Sequence, residues 1–345
     1  MVIEEKYMKR CIALARGGLG NTSPNPMVGA VIVHDGTIIG EGFHRKIGEA
    51  HAEVNAVNSV CDESLFSSST MYVSLEPCSH YGKTPPCAEL IIQKRIPKVV
   101  VACLDPNPKV SGRGVQMLRD AGIEVVIGVL EKEAQLLNKA FMIYHLKHRP
   151  CIMLKWAQSV DGFIDRIRKD NSESPVVFSS SESRRVIHKL RSEYAAIMIG
   201  TNTALLDNPS LSVRHWIGHS PLRVVLDEFL HIPSSFHVLD GSVQTLIFTS
   251  VSKDNKKNIE YVLIDFNEPV LPQVLNELYE RKINSLLVEG GSNLLNQFIH
   301  EGLWDEMRVE VAPVFLKQGV PSPDISGLNS YMSQKLTNTI KYYKY

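Results

Sequence analysis

No run of the chain reaches the roughly 18 consecutive apolar residues that a membrane-spanning helix needs, so no membrane role is expected. Charge of one sign is not in excess either: 37 Lys and Arg face 37 Asp and Glu, for a formal net charge of zero. Nucleic-acid-binding domains are ordinarily basic with a clustered patch, so the balance points to a small-molecule substrate and to no nucleic-acid partner. The opening MVIEEKYMKRCIALARGG has no uninterrupted apolar core and no small-residue cleavage site. No export signal is therefore expected, and the protein is expected to be cytoplasmic. Disulfides are rare in that reducing setting, which leaves Cys11, Cys61, Cys78, Cys87, Cys103 and Cys151 as thiols or ligands. The later half also lacks a GxGxxG turn after a strand, so a Rossmann nucleotide fold is not indicated.

What is present is a soluble α/β pattern long enough for two domains, with 345 residues and 44% apolar content. MVGAVIVHDGTIIGEGF reads as two strands around a tight Asp35-Gly36 hairpin turn. HAEVNAVNSV reads as a helix, TMYVSLE as a strand, CAELIIQKR as a helix and KVVVACL as a buried strand. GVQMLRDAG is a short helix closed by Gly122, and IEVVIGVL is a further strand. A polar, proline-stopped KHRP at 147–150 then separates a second α/β pattern. The domains are expected at 1–147 and 148–345, and the Ser-rich SESPVVFSSSES of the second reads as a loop.

The chemistry begins at EPCSHYGKTPPC, where Cys78 and Cys87 are spaced around a turn-rich stretch, with His51-Ala52-Glu53 upstream. His51, Cys78 and Cys87 make three borderline-soft donors, a set that suits zinc over magnesium or calcium. Catalytic zinc keeps three protein ligands and an open fourth position, whereas structural zinc is closed by four. The closed alternative needs His80 or His44 as its fourth donor. Residues two apart in a helix diverge by about 200°, so His51 and Glu53 can serve one cavity only at a helix start. There Glu53 is the acid/base and not a ligand, placed to move a proton from water to a leaving amine. The order H-x-E … P-C is that of zinc nucleobase deaminases, in which the second half is usually C-x-x-C. The longer spacing here departs from that pattern.

TSPNPMVGAVIV, HAEV, EPCSHYGKTPPC and DPNPKVSGRG together resemble the N-terminal half of the bifunctional riboflavin-biosynthesis deaminase/reductase family, in which the longer cysteine spacing is the normal form. LKWAQSVDG, KLRSE, TALLDNPSLSVR and VEGGSNLL resemble its reductase half. The resemblance implies a cytidine-deaminase-like three-layer domain followed by a dihydrofolate-reductase-like domain. It implies zinc-dependent hydrolytic deamination of a diaminopyrimidinone bearing a phosphoribosylamino group. Reduction of the ribosyl group to ribityl by NADPH would follow, in a homodimer or higher homo-oligomer. A nucleic-acid base deaminase with an unrelated appended domain is the alternative, and a zinc-stabilised scaffold without chemistry is a third reading.

Residue by residue, Asn25 matches a substrate contact, and Lys83 stands where it can meet the substrate phosphate. In the reductase half Ala157, Thr203, Asp207 and the turn Gly291, Ser292 and Asn293 match cofactor positions. Arg191, Leu211, Arg214 and Glu289 match substrate positions, the two arginines as bidentate clamps on the ribose phosphate. Lys155 is a candidate to polarise or protonate the open-chain sugar. Paired glycines before a helix let a phosphate approach its N–H groups. Where many relatives carry a Trp against the cofactor, this chain has Val177 or Phe178, which leaves NADPH against NADH open.

Overall fold

A computed structural model describes residues 4–81, 85–107, 110–335 and 337–345. The chain divides into two compact units, Met1–His148 and Arg149–Tyr345.

The first unit runs α1 (Glu5–Ala15), β1 (Gly29–His34), β2 (Thr37–Phe43), α2 (Ala52–Asn58), β3 (Thr70–Val73) and α3 (Cys87–Gln93). It continues with β4 (Lys98–Val101), α4 (Arg113–Asp120), β5 (Glu124–Ile127), α5 (Glu131–Leu137) and α6 (Lys139–Lys147). Its sheet has the order β2-β1-β3-β4-β5. The β1–β2 and β1–β3 pairs are antiparallel, and the pairs beyond are parallel. The expected hairpin is there, with Asp35 and Gly36 both at positive φ.

Apolar runs such as GAVIV follow from burial on both faces of a covered sheet. Ala30, Ile32, Met71, Val73, Val99 and Val101 pack with residues of α2, α3 and α4. The alternate residues Val31, Val33, Tyr72 and Val100 pack with α1, α5 and α6. Helices on both sides of one sheet make three layers.

The second unit opens with β6 (Cys151–Ser159), β7 (Phe163–Asp165), α7 (Ser181–Glu193), β8 (Ala196–Gly200), α8 (Thr201–Asp207) and β9 (Leu222–Leu226). Then come β10 (Thr245–Thr249), β11 (Ile259–Leu263), α9 (Val270–Glu280), β12 (Ser285–Gly290) and α10 (Ser292–His300). It closes with β13 (Glu306–Ala312), β14 (Val320–Pro321), β15 (Met332–Lys335) and β16 (Thr339–Lys344). Nine strands form one sheet in the order β11-β10-β9-β8-β12-β6-β13-β16-β15. The pairs from β11 to β13 are parallel, and the last two are antiparallel. Ile152, Leu154, Trp156, Leu286 and Val288 face α9 and α10. Met153, Ile197, Ile199 and Leu287 face the opposite way, toward α7 and α8. Lys155 and Ala157 share that second face by alternation. In parallel sheets ligands gather outside the carboxyl ends of the strands; β8, β9 and β12 end together here, while β6 runs on past them to Ser159. Among the described residues no helix is long and apolar enough to cross a membrane.

Candidate active sites

His51 is the N-cap of α2, with extended backbone (φ −70, ψ 166), while Glu53 lies in the first turn. The cap breaks the helical divergence of about 200°, so both side chains reach one cavity. Cys87 is the first residue of α3, after an extended Pro86. Its N–H donates to Cys78 Sγ at 3.3 Å. Cys78 Sγ and Cys87 Sγ stand 3.6 and 3.4 Å from His51 Nδ1. In a tetrahedral zinc site with ordinary Zn–S and Zn–N bonds the S···N edge is about 3.5 Å. Both S···N distances match that edge, and all three donor atoms lie within 4.8 Å of one another. Neither His44 nor His80 joins the cluster among the described residues, so the closed four-ligand alternative has no fourth donor there.

The three donors and Glu53 shift one another's titration strongly. Hydrogen bonding from Cys87, aided by His51, brings the Cys78 thiol down to about 4. Its partner Cys87 is driven the other way, first by Cys78 and then by burial. His51 rises through its hydrogen bond to Cys78. Glu53 is 3% exposed, and burial first, then the Cys78 charge, lifts its carboxyl to about 7. A carboxyl poised there exchanges a proton easily near neutral pH.

Two neighbours shape this site. Buried His44 has Nδ1 against Ala50 O at 3.1 Å and Nε2 against Asn25 Nδ2 at 3.5 Å. Its ring meets His51 edge-on, with centroids 5.5 Å apart. Asn25 is thereby tied to the metal side of the cavity through His44. Glu76, 4% exposed, accepts from the N–H groups of Asp105, Gly112, Gly114 and Val115 at 2.9–3.2 Å. It joins the EPC stretch to Asp105 and to the start of α4. Only glycine fits at 114, because a Cβ there would lie 1.9 Å from Pro77 O. Gly114→Ala is expected to cost roughly 1–3 kcal/mol and to quicken zinc loss to a chelator. Unchanged zinc release and unfolding midpoint would count against this coupling.

The second unit holds a cavity of about 740 Å³ at the strand ends, lined by Lys155, Ala157, Arg191, Glu289 and the 290–293 turn. That size suits a cofactor-and-substrate site. Glu289 takes a bidentate pair from Arg191, Nε to Oε1 at 3.0 Å and Nη2 to Oε2 at 2.7 Å. Burial alone would raise the Glu289 carboxyl, but Arg191 and Lys155 outweigh it and hold the group at about 2. Lys155 is pushed below its usual value by burial, against the pull of Glu289. Gly290 and Gly291 lead into α10, with the latter at φ +78. A Cβ on either would press on Thr203, so the turn lies tight on α8.

Two family descriptions match the chain: residues 1–103 match the cytidine and deoxycytidylate deaminase zinc-binding region, and residues 150–342 match the RibD C-terminal domain. The riboflavin biosynthesis protein RibD of Aquifex aeolicus is 41% identical, over 94% of this chain and 90% of its own. The chain belongs to the RibD family. A Thermotoga maritima protein described as a diaminohydroxyphosphoribosylaminopyrimidine deaminase/5-amino-6-(5-phosphoribosylamino)uracil reductase has a similar structure. The TM-score is 0.87 at 36% identity, covering 99% of this chain and 98% of that one. Acinetobacter baumannii RibD gives 0.88 at 34% identity with the same coverage. RibD membership carries the expected fold pair, the deaminase-like first unit and the reductase-like second. It also disfavours an unrelated appended domain.

Within this RibD chain the cavity collects Lys155, Ala157, Arg191, Thr203, Asp207, Arg214, Glu289, Gly291, Ser292 and Asn293. Leu211 is not among the lining residues; its side chain is 2% exposed and packs in the core with Ile197 and Ala204. Arg191, expected as a phosphate clamp, already spends three nitrogens on Glu289 and Ser212 O. Arg214 is exposed and only lightly held, by Ser212 Oγ at 3.2 Å. Asp207 is ion-paired with Arg168. Both Val177 and Phe178 line the cavity. Lys83 lies outside the described residues. The sequence gives no sign of Glu76, held by Asp105 and the start of α4, or of Arg168, held by Asp165 of β7 and by Leu206 O and Asp207 of α8. His44, a possible fourth ligand by sequence, instead packs edge-on against His51 and contacts Asn25.

Proposed function

We propose that this chain carries out both RibD reactions in riboflavin biosynthesis, the deamination in residues 1–147 and the reduction in residues 148–345. Three zinc donors with a buried non-ligand carboxyl beside them carry the first assignment. The substrate is the diaminopyrimidinone that bears a phosphoribosylamino group. His51, Cys78 and Cys87 would hold zinc, which when bound supplies Lewis-acid activation of a water. Glu53 takes the proton from the attacking water and returns it to the departing amine, so ammonia leaves neutral. Asn25 presents its amide to the pyrimidinone edge, with its nitrogen oriented by His44.

In the second unit the 290–293 turn, with Ala157, Thr203 and Asp207, would hold NADPH, whose nicotinamide supplies the hydride. Lys155 gives a proton to the opened sugar. Glu289 keeps Lys155 charged, and Arg191 keeps Glu289 ionised and in place. Arg214 is the freer guanidinium for the phosphate. On the same reading the protein works in the cytoplasm as a homodimer or higher homo-oligomer, which light scattering tests.

The decisive assay gives the purified protein its substrate with NADPH, with NADH or with neither, and follows ammonia and absorbance. Ammonia is expected in all three, and nucleotide oxidation only where a cofactor is present. Stripping the zinc should stop the ammonia while reduction of deaminated substrate continues. Ammonia release that survives complete zinc removal would sink the metal assignment.

A further inference from the structure

Between Arg166 and Ser179 the chain is neither helix nor strand, and no main-chain to main-chain hydrogen bond involves these residues among those described. Residues 175–179 nevertheless form one wall of the cavity, with Val177 68% exposed there. A wall with no ladder of its own has to be held by side chains, or it opens readily.

Two anchors do this. At the near end Asp165 Oδ1 accepts from the Val176 N–H at 2.9 Å, and Arg168 Nη1 donates to Glu173 O at 3.1 Å. At the far end stands Glu310 of β13, fully buried at 0% exposure. Its Oε2 accepts from Ser179 Oγ at 2.9 Å and from Ser183 Oγ at 2.7 Å. Its Oε1 accepts from Asn338 Nδ2 at 2.6 Å. Asn338, in the turn between β15 and β16, spends its other amide hydrogen on Phe178 O at 2.9 Å. Both hydrogens of one amide are thus committed, one to the carboxylate and one to the wall.

We propose that Glu310 and Asn338 are positioning residues for the nicotinamide cofactor, fastening the 175–179 wall to the strand beside Lys155. Neither lines the cavity, so they act through the wall and not by touching what binds. The strand register makes the link direct: Glu310 lies opposite Ala157, and Arg308 opposite Lys155, in the parallel β6–β13 pair. The C-terminal hairpin therefore sets the spacing between the Val177 face and the floor of the site. The inference rests on the reading of this cavity as the nucleotide site.

Two measurements on the full-length protein test it: amide hydrogen exchange over residues 172–180 without nucleotide, and NADPH binding by its fluorescence without pyrimidine substrate. Asn338→Ala should quicken exchange at 176–179 and raise the NADPH Kd, each by about tenfold, with ammonia release unchanged. Asn338→Asp keeps the size but cannot donate, and should do no better. Should Asn338→Ala fail to fold, Ser179→Ala removes one Glu310 contact and should move both readouts the same way, by about threefold. Unchanged exchange overturns the clamp. Faster exchange with unchanged NADPH affinity overturns its role in binding. Wild-type protein that binds no NADPH overturns the cofactor reading itself, a result distinct from either.

Discussion

Glu53→Gln is expected to lower ammonia release by roughly 10²–10⁴-fold while the bound zinc stays unchanged. The side chain is buried in the first turn of α2, and the clustered metal donors are His51, Cys78 and Cys87. An amide of the same shape fills the same space and leaves those donors alone, but it cannot take a proton from water or pass one to a leaving amine. Zinc by elemental analysis and ammonia by a coupled assay separate the possibilities. Loss of zinc together with activity would make Glu53 a ligand, and retained activity would remove it from the chemistry. Reduction of deaminated substrate, which depends on the second unit, should be untouched.

Arg191→Ala is expected to strike stability and reduction together. Arg191 and Glu289 side chains are 12% and 9% exposed, and the pair is bidentate. Removing one partner of a buried pair leaves an uncompensated charge, at a cost of roughly 3–5 kcal/mol. The lower end applies, because Lys155 remains beside Glu289. The sign of the pH dependence follows from the depressed Glu289 carboxyl, about 2 against an ordinary 4.5. Its stabilising contribution is present above 4.5 and is lost as pH falls toward 2. The wild-type advantage over Arg191→Ala should therefore be full at pH 7 and shrink between pH 4.5 and 2. Denaturant unfolding at neutral and acid pH measures it, and a gap that does not vary with pH would refute the pairing. Arg214→Ala makes the contrast: this exposed side chain, when removed, should raise KM for the phosphorylated substrate with little change in stability. If Arg191→Ala gives that same KM-only signature, Arg191 is the clamp first expected of it.

How far the sequence could be read follows from where each signal resides. The Asp35-Gly36 hairpin, the paired glycines before α10 and the helix opening at Cys87 were legible because each is a local backbone demand written in adjacent residues. His51, Glu53, Cys78 and Cys87 were legible because few side chains have their chemistry, and their order and spacing are distinctive. Other features gave no such sign. Ser179, Ser183 and Asn338 are ordinary polar residues in sequence, and become a set only when β13 brings Glu310 beneath them. Leu211 matched a substrate position by motif, yet its side chain turns into the core.

By itself, then, the sequence pointed to a His/Cys/Cys donor set with a carboxyl beside it and to two α/β patterns, since these depend on side-chain identity and short-range spacing. Only the tertiary structure showed which charges meet. Arg191 and Glu289 are 98 positions apart, and nothing local says that a guanidinium is held by a buried carboxylate instead of waiting for a phosphate. Glu76 likewise reads as a surface acid until four N–H groups of the 105–115 segment close on it. Burial strengthens such pairings and makes them costly to leave unmade, and burial is set by the packing of distant strands and helices.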